Sequence, residues 1–328
     1  MNSFSYNQVE EVAEAVADLN IHPNAKFIAG GTNLLDLMKE NVENPDHLTD
    51  INRLSMATVE ETGDGGIRLG ALVTNADTAY NELVENRYPL LSKAILAGAS
   101  PQLRNMATDG GNLFQRTRCY YFYDTATACN KREPGSGCSA INGINRIHAI
   151  LGTSEHCIAT HPSDMCVALA ALDAKVNVTG IDGDRTIEFE DFHRLPGDTP
   201  HLDNNIRQGE LVTSIDLPAN NFTRHIHYLK LRDRQSYAFA LVSVAVALEL
   251  EGNVIKDIRL ALGGVAHKPW RDKTAEAAMA GKEASVENFR MLAETVLAGA
   301  KGFGHNDFKI ELAKRAIVRA CNEALKTE

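Results

Sequence analysis

The chain has 328 residues, of which 44% are hydrophobic and 23% are charged, and its formal net charge is −10. This balance is typical of a folded protein with room for two domains and excludes a largely disordered chain. The acidic surplus disfavours nucleic acid as a partner, and the sequence has no apolar run of about 20 residues that could insert into a membrane.

The N-terminal half is predicted to alternate helices with short strands. Apolar residues at helical spacing predict an amphipathic helix over 9–20, and Thr32 is predicted to cap a second helix after a glycine pair. Further helices are predicted over 88–99 and 164–174. Short strands are predicted over 26–29, 47–51, 67–69 and 175–178.

The C-terminal third is predicted to be a sheet followed by helices, an α+β arrangement. Apolar residues alternate with period two over 240–250, which predicts a strand, and the turn signal after it predicts a second strand over 254–262. A strand over 225–231 and helices near 272–280, 286–298 and 307–326 complete the set. The segment 217–223 is the best boundary candidate, so we expect domains of residues 1–220 and 221–328.

Two glycine pairs in the N-terminal part are candidates for phosphate binding. Gly30 and Gly31 lie between a predicted strand and a predicted helix, where the backbone could turn tightly and present N–H groups to an anion. A second pair, Gly110 and Gly111, follows Thr108, and the two loops could hold both phosphates of one dinucleotide. Neither loop has the G-x-G-x-x-G pattern, and a capped tight turn remains an alternative for the first pair.

Four cysteines lie in residues 116–160, a segment without helical or strand periodicity. Cys119, Cys129, Cys138 and Cys157 are separated by nine, eight and eighteen residues. This spacing lacks the tight pairs of zinc knuckles and ferredoxins. Clustered thiols in a segment without a core of its own nevertheless indicate a metal, either in an iron–sulfur cluster or as zinc.

Alternatives to a four-cysteine site remain open at this point. The thiols could be unrelated reduced cysteines, or His148, His156 or His161 could replace one of them in a mixed site. The remaining two, Cys166 and Cys321, lie in apolar helical patterns and are predicted to be small buried residues.

Six short segments together resemble one protein family. They are 29–33 (AGGTN), 108–112 (TDGGN), 161–164 (HPSD), 209–212 (GELV), 228–234 (YLKLRDR) and 262–266 (LGGVA). Over essentially the whole chain they resemble the FAD-binding medium subunit of the xanthine dehydrogenase and aldehyde oxidase family of molybdenum hydroxylases. Two groups of that family carry a cysteine insert that binds a [4Fe–4S] cluster, the 4-hydroxybenzoyl-CoA reductases and the bacterial three-subunit aldehyde oxidoreductases. The residues around Cys119, Cys129 and Cys138 are most similar to those of the second group.

The resemblance implies an α+β fold and two cofactors in this chain. It implies a two-part FAD-binding domain of the PCMH or vanillyl-alcohol-oxidase-like type, with 116–160 as its iron–sulfur insert, and a smaller α+β C-terminal domain. The implied FAD-binding residues are Ala29, Gly30, Gly31, Thr32, Asn33, Leu34, Thr108, Gly110, Gly111, Asn112, Leu113, Ser163, Asp164, Val212 and Lys230. The implied ligands of the [4Fe–4S] cluster are Cys119, Cys129, Cys138 and Cys157.

Three of these residues are implied to have individual roles at the flavin. Asp164 would accept a ribityl hydroxyl, Val212 would pack on the isoalloxazine ring, and Lys230 would place positive charge near it. Their ordinary alternatives are a helix N-terminal acid, a core residue and a solvated lysine. One departure from the family is Tyr237, which stands near a position that is often acidic.

The resemblance also implies partners and a division of labour. A large subunit with the molybdenum cofactor would oxidise an aldehyde, a small subunit would carry two [2Fe–2S] clusters, and this chain would pass electrons through FAD to oxygen, a quinone or a ferredoxin. No catalytic side chain is therefore expected. The N-terminus lacks the features of a secretory signal, so we expect a cytoplasmic location, with the periplasm open by co-export with a signal-bearing partner.

Three other functions compete with this interpretation. The chain could be a free-standing flavoprotein oxidoreductase, the medium subunit of an enzyme similar to 4-hydroxybenzoyl-CoA reductase, or a zinc-stapled module without catalysis.

Overall fold

A small parallel sheet begins the chain in the computed structural model, which describes residues 1–327. Its strands lie in the order β1–β3–β2, and both outer strands run parallel to β3. The elements in chain order are β1 (Ser5–Gln8), α1 (Val12–Ile21), β2 (Ala25–Ile28), α2 (Leu34–Lys39) and β3 (His47–Asp50). The first glycine loop joins β2 to α2 and therefore lies at the carboxyl edge of a parallel sheet, where ligands commonly bind.

A second, antiparallel sheet has five strands in the order β4–β5–β8–β6–β7. The elements of this part, in chain order, are β4 (Val59–Glu61), β5 (Ile67–Gly70), α3 (Asn75–Ala79), α4 (Glu82–Arg87), α5 (Pro89–Ala97), α6 (Pro101–Arg104), α7 (Asp109–Leu113), α8 (Tyr120–Tyr123), α9 (Asp164–Ala171), β6 (Lys175–Gly180), β7 (Gly183–Glu188), α10 (Phe189–Phe192) and β8 (Leu211–Leu217). Every residue of α9 is buried, because the helix packs against α5 on one side and the C-terminal sheet on another. The core of the N-terminal part is built around this apolar helix.

The third sheet is antiparallel, with the order β12–β11–β10–β9. Its elements are β9 (Ile226–Leu231), β10 (Val242–Glu251), β11 (Val254–Gly263), β12 (Trp270–Arg271), α11 (Lys273–Ala277), α12 (Val286–Val296) and α13 (Phe308–Leu325). Both faces of this sheet are buried. Branched residues such as Val244 and Val246 belong to the core formed with α12 and α13, whereas Ala245, Ala247 and Ala261 belong to the core around α9. Small residues on that face let the sheet approach the helix closely.

Most elements predicted from the sequence are present with shifted ends. The cap predicted at Thr32 is wrong, since α2 begins at Leu34 after Asn33. The helix predicted over 164–174 ends at Ala171, and Asp173 then adopts a positive φ of 52°. The sequence analysis does not predict β8 (Leu211–Leu217), which begins inside the segment 209–212 and ends at the first residue of the boundary candidate 217–223. None of the described helices is long and apolar enough to cross a membrane.

Helix α12 offers a matched test of how strongly its packing stabilises the C-terminal sheet. Phe289 is fully buried, whereas Met291 on the same helix is 45% exposed. We expect Phe289→Ala to lower the free energy of unfolding by about 3–5 kcal/mol, because it leaves a cavity. Met291→Ala should change it by no more than about 0.5 kcal/mol. Urea unfolding monitored by circular dichroism measures both, and similar losses for the two variants would contradict this packing.

Candidate cofactor-binding site

A cleft of about 1040 Å³ lies where the two glycine loops, the start of α9 and the C-terminal sheet meet. Its volume is at the upper end of the range for small-molecule sites, about 300–1,000 Å³, and suits a ligand as large as a dinucleotide. All of the residues that the sequence predicts for FAD line this cleft. They come from five separate stretches of the chain, so only the fold brings them together.

The backbone of the first loop lies very close to the backbone at Met106. A Cβ atom at Gly30 would lie 1.7 Å from the carbonyl oxygen of Met106, so a side chain there would force the backbone to move. Gly31 has a φ of +69°, a conformation that favours glycine. Asn33 accepts a hydrogen bond from the backbone N–H of Arg116 at 3.0 Å. Its Nδ2 is buried and has no partner among the described residues, so a ligand oxygen in the cleft could satisfy it.

The second loop begins a short helix, α7. Thr108 is the N-cap residue, and its hydroxyl accepts a hydrogen bond from the N–H of Gly111 at 3.2 Å. A Cβ atom at Gly110 would lie 2.8 Å from the Cβ of Ala71, so this loop also packs tightly on the strand side of the cleft. The loop is therefore held rigidly at the edge of the cleft.

A buried acid that the sequence analysis did not single out supports the second loop. The Asp109 carboxylate accepts hydrogen bonds from Thr78 and from Asn75 Nδ2, the latter at 2.7 Å. Asn75 Oδ1 in turn accepts a bond from Asn112 Nδ2 at 2.7 Å, which fixes the side chain of Asn112. Burial raises the pKa of Asp109 to about 7, against a usual value of 3.8, and the two hydrogen bonds offset only part of this effect.

Asp164 and Lys230 form a buried ion pair at the floor of the cleft. Lys230 Nζ lies 2.7 Å from Asp164 Oδ2, and the hydroxyl of Tyr228 donates to Oδ1 at 2.7 Å. Lys230 also donates to the carbonyl of Ala97 at 3.1 Å. Its side chain is only 5% exposed, so the alternative of a solvated lysine is wrong. The positive charge of Lys230 is paired with the carboxylate of Asp164, and both residues line the cleft.

Val212 lies in β8, where it is a core residue at the wall of the cleft. It is 3% exposed. Tyr237, at the departure from the family pattern, lines the mouth of the cleft with 69% of its surface exposed. It has a positive φ of 55°.

A buried ionic network joins the cleft to the cysteine segment. Asp203 binds Lys131 Nζ at 2.6 Å and Arg116 Nε at 2.8 Å, and Arg116 also pairs with Glu43. Burial by itself would raise the pKa of Asp203, but the adjacent Lys131 and Arg116 hold it well below its usual range. The sequence analysis does not single out Asp203, because this partner lies 72 residues from Lys131 along the chain.

Cys119 is the N-cap residue of α8 and packs with Cys129 and Cys138 in one small apolar cluster, and Cys157 lies near enough to raise the pKa of Cys119. Cys119, Cys129 and Cys157 are buried and Cys138 is half-buried, and Cys129 lies opposite Cys138 in an antiparallel bridge. Burial raises the pKa of Cys119 to about 12 and that of Cys157 to about 11. Nearby cysteine thiols raise both values further. Buried thiols of this kind stay protonated unless a cation replaces the proton.

The distances within this cysteine cluster bear on the type of metal. A tetrahedral zinc ion with Zn–S bonds of about 2.3 Å would place its sulfurs about 3.8 Å apart. Within residues 1–327, three or more possible ligand atoms lie within 4.8 Å of one another in only two groups, and neither includes any of these four cysteines. The four sulfurs are therefore spread more widely than around a single zinc ion.

The histidines of the predicted mixed site lie in different places. His161 packs against His193, with ring centroids 4.2 Å apart, near Cys166 rather than beside the four cysteines. His156 is half-buried, with 39% of its side chain exposed, and lies near the carboxylates of Glu155 and Asp198. Only His148 touches one of the four, with its Nε2 3.0 Å from Cys119 Sγ. Cys166 and Cys321 are fully buried, as the sequence predicts.

Comparisons with known proteins identify the family of this chain. Residues 2–220 match the model of the FAD binding domain in molybdopterin dehydrogenase, and residues 227–324 match that of the CO dehydrogenase flavoprotein C-terminal domain. The chain is 50% identical over 325 residues to the aldehyde oxidoreductase FAD-binding subunit PaoB of Escherichia coli (strain K12), covering 99% of each chain. It is 31% identical to the glyceraldehyde dehydrogenase medium chain of Sulfolobus acidocaldarius, covering 89% of this chain and 86% of that one.

A solved structure has the same fold. It is a carbon monoxide dehydrogenase from Hydrogenophaga pseudoflava that lacks the Mo-pyranopterin moiety of the molybdenum cofactor; the TM-score is 0.77 at 27% identity, covering 99% of this chain and 98% of that one. The chain therefore belongs to the family of FAD-binding medium subunits of molybdenum hydroxylases, which are oxidoreductases. The predicted family and the α+β fold class are confirmed.

Gly30 provides a test of the first loop. We expect Gly30→Ala to reduce the FAD retained by the purified protein at least tenfold, because the new methyl group meets the carbonyl of Met106 and displaces the loop. Gly63→Ala is the matched control, since a Cβ atom there meets nothing within 4 Å. The measurement is the flavin-to-protein ratio after heat release. Full retention by Gly30→Ala would show that this loop does not hold the cofactor.

Asp109 provides a test through pH. Its proton is bound more tightly in the folded state than in the unfolded one, so its stabilising effect is present below about pH 4 and is lost as the pH rises towards 7. Relative to Asp109→Asn, the free energy of unfolding of the parent protein should fall by up to about 1.4 kcal/mol per pH unit over this interval. Urea unfolding at pH 5, 6 and 7 with excess FAD measures it, and parallel pH profiles would contradict the shifted pKa.

Proposed function

We propose that this chain is the FAD- and [4Fe–4S]-containing electron-transfer subunit of a three-subunit molybdenum-dependent aldehyde oxidoreductase. The observation that carries the proposal is that every residue that the family resemblance implies for FAD lines one cleft, which also contacts Arg118 and Tyr120 on either side of Cys119. The 50% identity to an aldehyde oxidoreductase subunit over 99% of both chains supports the choice of aldehyde chemistry. The complex would contain a large molybdenum-cofactor subunit and a small subunit with two [2Fe–2S] clusters.

The residues of the cleft suit the parts of an FAD molecule. Bound FAD would supply the electron-carrying chemistry, with oxygen, a quinone or a ferredoxin as the final acceptor. The tight loops at Gly30 and Gly110 would admit the pyrophosphate, and the unpartnered Nδ2 of Asn33 could donate to one of its oxygens. Val212 offers an apolar surface for the ring system. The Asp164–Lys230 pair lies at the cleft with no net charge.

The cysteine cluster suits an iron–sulfur centre better than a single ion. Four thiols are available, which is the usual number of ligands for a [4Fe–4S] cluster, and no three of their sulfurs lie within 4.8 Å of one another. Arg132 braces the segment by donating to the carbonyls of Tyr121 and Phe122. Lys131 contributes a buried positive charge nearby, although Asp203 neutralises much of it.

Cysteine variants in the purified complex test this function. The parent complex should contain about one FAD and about eight irons, about four in this subunit and about four in the two [2Fe–2S] clusters of the small subunit, and Cys129→Ala should lose about four irons while keeping FAD. Cys321→Ala is the control, because that buried cysteine lies in α13, apart from the cluster. Metal analysis and the absorbance spectrum give the answer.

Other results would select other functions. One zinc per chain with no flavin would indicate a zinc-stapled module. Turnover of an organic donor by the isolated chain would indicate a free-standing flavoprotein. Iron content that is unchanged in Cys129→Ala would contradict the proposed ligands.

A further inference from the structure

His148 stands out within the cysteine segment because it directly contacts a proposed cluster ligand. Its Nε2 lies 3.0 Å from Cys119 Sγ, and the two residues are 1% and 7% exposed. The rings of Tyr120 and Tyr121 lie around it, with centroids 6.5 and 6.4 Å away. Water is therefore largely excluded from this contact.

The position of His148 is fixed by the C-terminal helix. Lys309, in α13, is fully buried, and its ammonium group donates to the carbonyl oxygens of His148 at 2.7 Å and Gly264 at 2.6 Å. Asn306 donates to the carbonyls of His148 and Ala149 at 3.3 and 3.0 Å. Within the described chain Lys309 has no carboxylate partner and burial lowers its pKa to about 7, so its amine nitrogen is held by these backbone carbonyls. The imidazole is thus supported by a rigid part of the fold.

The chemistry of the contact assigns the direction of the hydrogen bond. A cysteine sulfur that ligates iron is a thiolate and carries no proton, so it can only accept. The hydrogen must then lie on Nε2 of His148, which leaves its Nδ1 as the atom that is buried without a partner among the described residues. Hydrogen bonds to ligand sulfurs are one of the means by which proteins set the reduction potential of such clusters.

We propose that His148 donates a hydrogen bond from Nε2 to the ligand sulfur of Cys119 and thereby raises the reduction potential of the cluster. The inference rests on the proposed function, because it requires the [4Fe–4S] cluster. Adding one electron increases the negative charge on the cluster and its sulfurs, so an N–H donor stabilises the reduced state more than the oxidised one. His148 is accordingly a positioning and tuning residue, and it is not a ligand.

Three variants of the complete complex test this role. His148→Leu removes the donor, whereas the side-chain amide of His148→Gln can place an N–H near the position of Nε2. His305→Leu is the matched control, because that imidazole is exposed and only the backbone N–H of His305 bonds to the same region, at Asn145. Iron and sulfide content are measured first, and the cluster potential is then obtained from a redox titration followed by electron paramagnetic resonance.

We expect His148→Leu to lower the reduction potential of the cluster and His148→Gln to restore part of that loss. In His148→Leu the ratio of reduced to oxidised cluster at a fixed potential should fall by roughly three- to tenfold, where tenfold corresponds to about 59 mV for one electron. His148→Gln should recover much of this shift, and His305→Leu should match the parent protein. Iron content should stay near the parent value in all three.

Several outcomes would overturn the inference. An unchanged potential in an iron-replete His148→Leu protein would refute it while leaving the proposed function intact. Loss of iron from both His148 variants would make His148 a ligand or a structural support. A parent protein without any iron–sulfur signal would refute the proposed function and this inference with it.

Discussion

Ion pairs at both ends of helix α9, one buried and one half-buried, hold the two halves of the molecule together. At its start, Asp164 binds Lys230 from the C-terminal sheet. Just beyond its end, Asp173 binds Arg271 and Arg259 from the same sheet. Removing one partner of a buried pair such as Asp164–Lys230 typically costs about 3–5 kcal/mol. Together with the half-buried contacts of Asp173, this pair fixes the register of the helix on the sheet. The cleft depends on that register, because the start of α9 forms part of its floor.

Apolar packing allows helix α9 and the C-terminal sheet to lie close together. The buried apolar residues of β10 and β11 in the core around α9 are alanines, and those in the core with α12 and α13 are branched. An apolar helix can therefore lie close to one face of the sheet while the other face carries a full core of its own. The C-terminal helices then extend the support further, since Lys309 of α13 reaches back to the backbone of the cysteine segment. The cysteine segment has little core of its own, so contacts from other parts of the chain hold it in place.

Charge links the two candidate cofactor sites. Arg116 follows the second glycine loop and Lys131 follows Cys129, and both bind the single carboxylate of Asp203. Arg116 also bonds through its backbone to Asn33 of the first loop. Movement of the cysteine segment would consequently disturb the cleft. Such a network suits a subunit in which two electron carriers must keep a fixed separation.

The sequence by itself determined the local features: the alternating strand at 240–250, the apolar helix after Ser163, the glycine loops and the unusual run of cysteines. It did so because periodicity, turn chemistry and residue type are set by near neighbours along the chain. Only the tertiary structure decided that Lys230 is paired with Asp164, that Asp203 closes the ionic network and that His148, among the candidate histidines, meets Cys119. Those partners lie between 29 and 72 residues apart, and no local pattern specifies which distant side chains folding brings into contact.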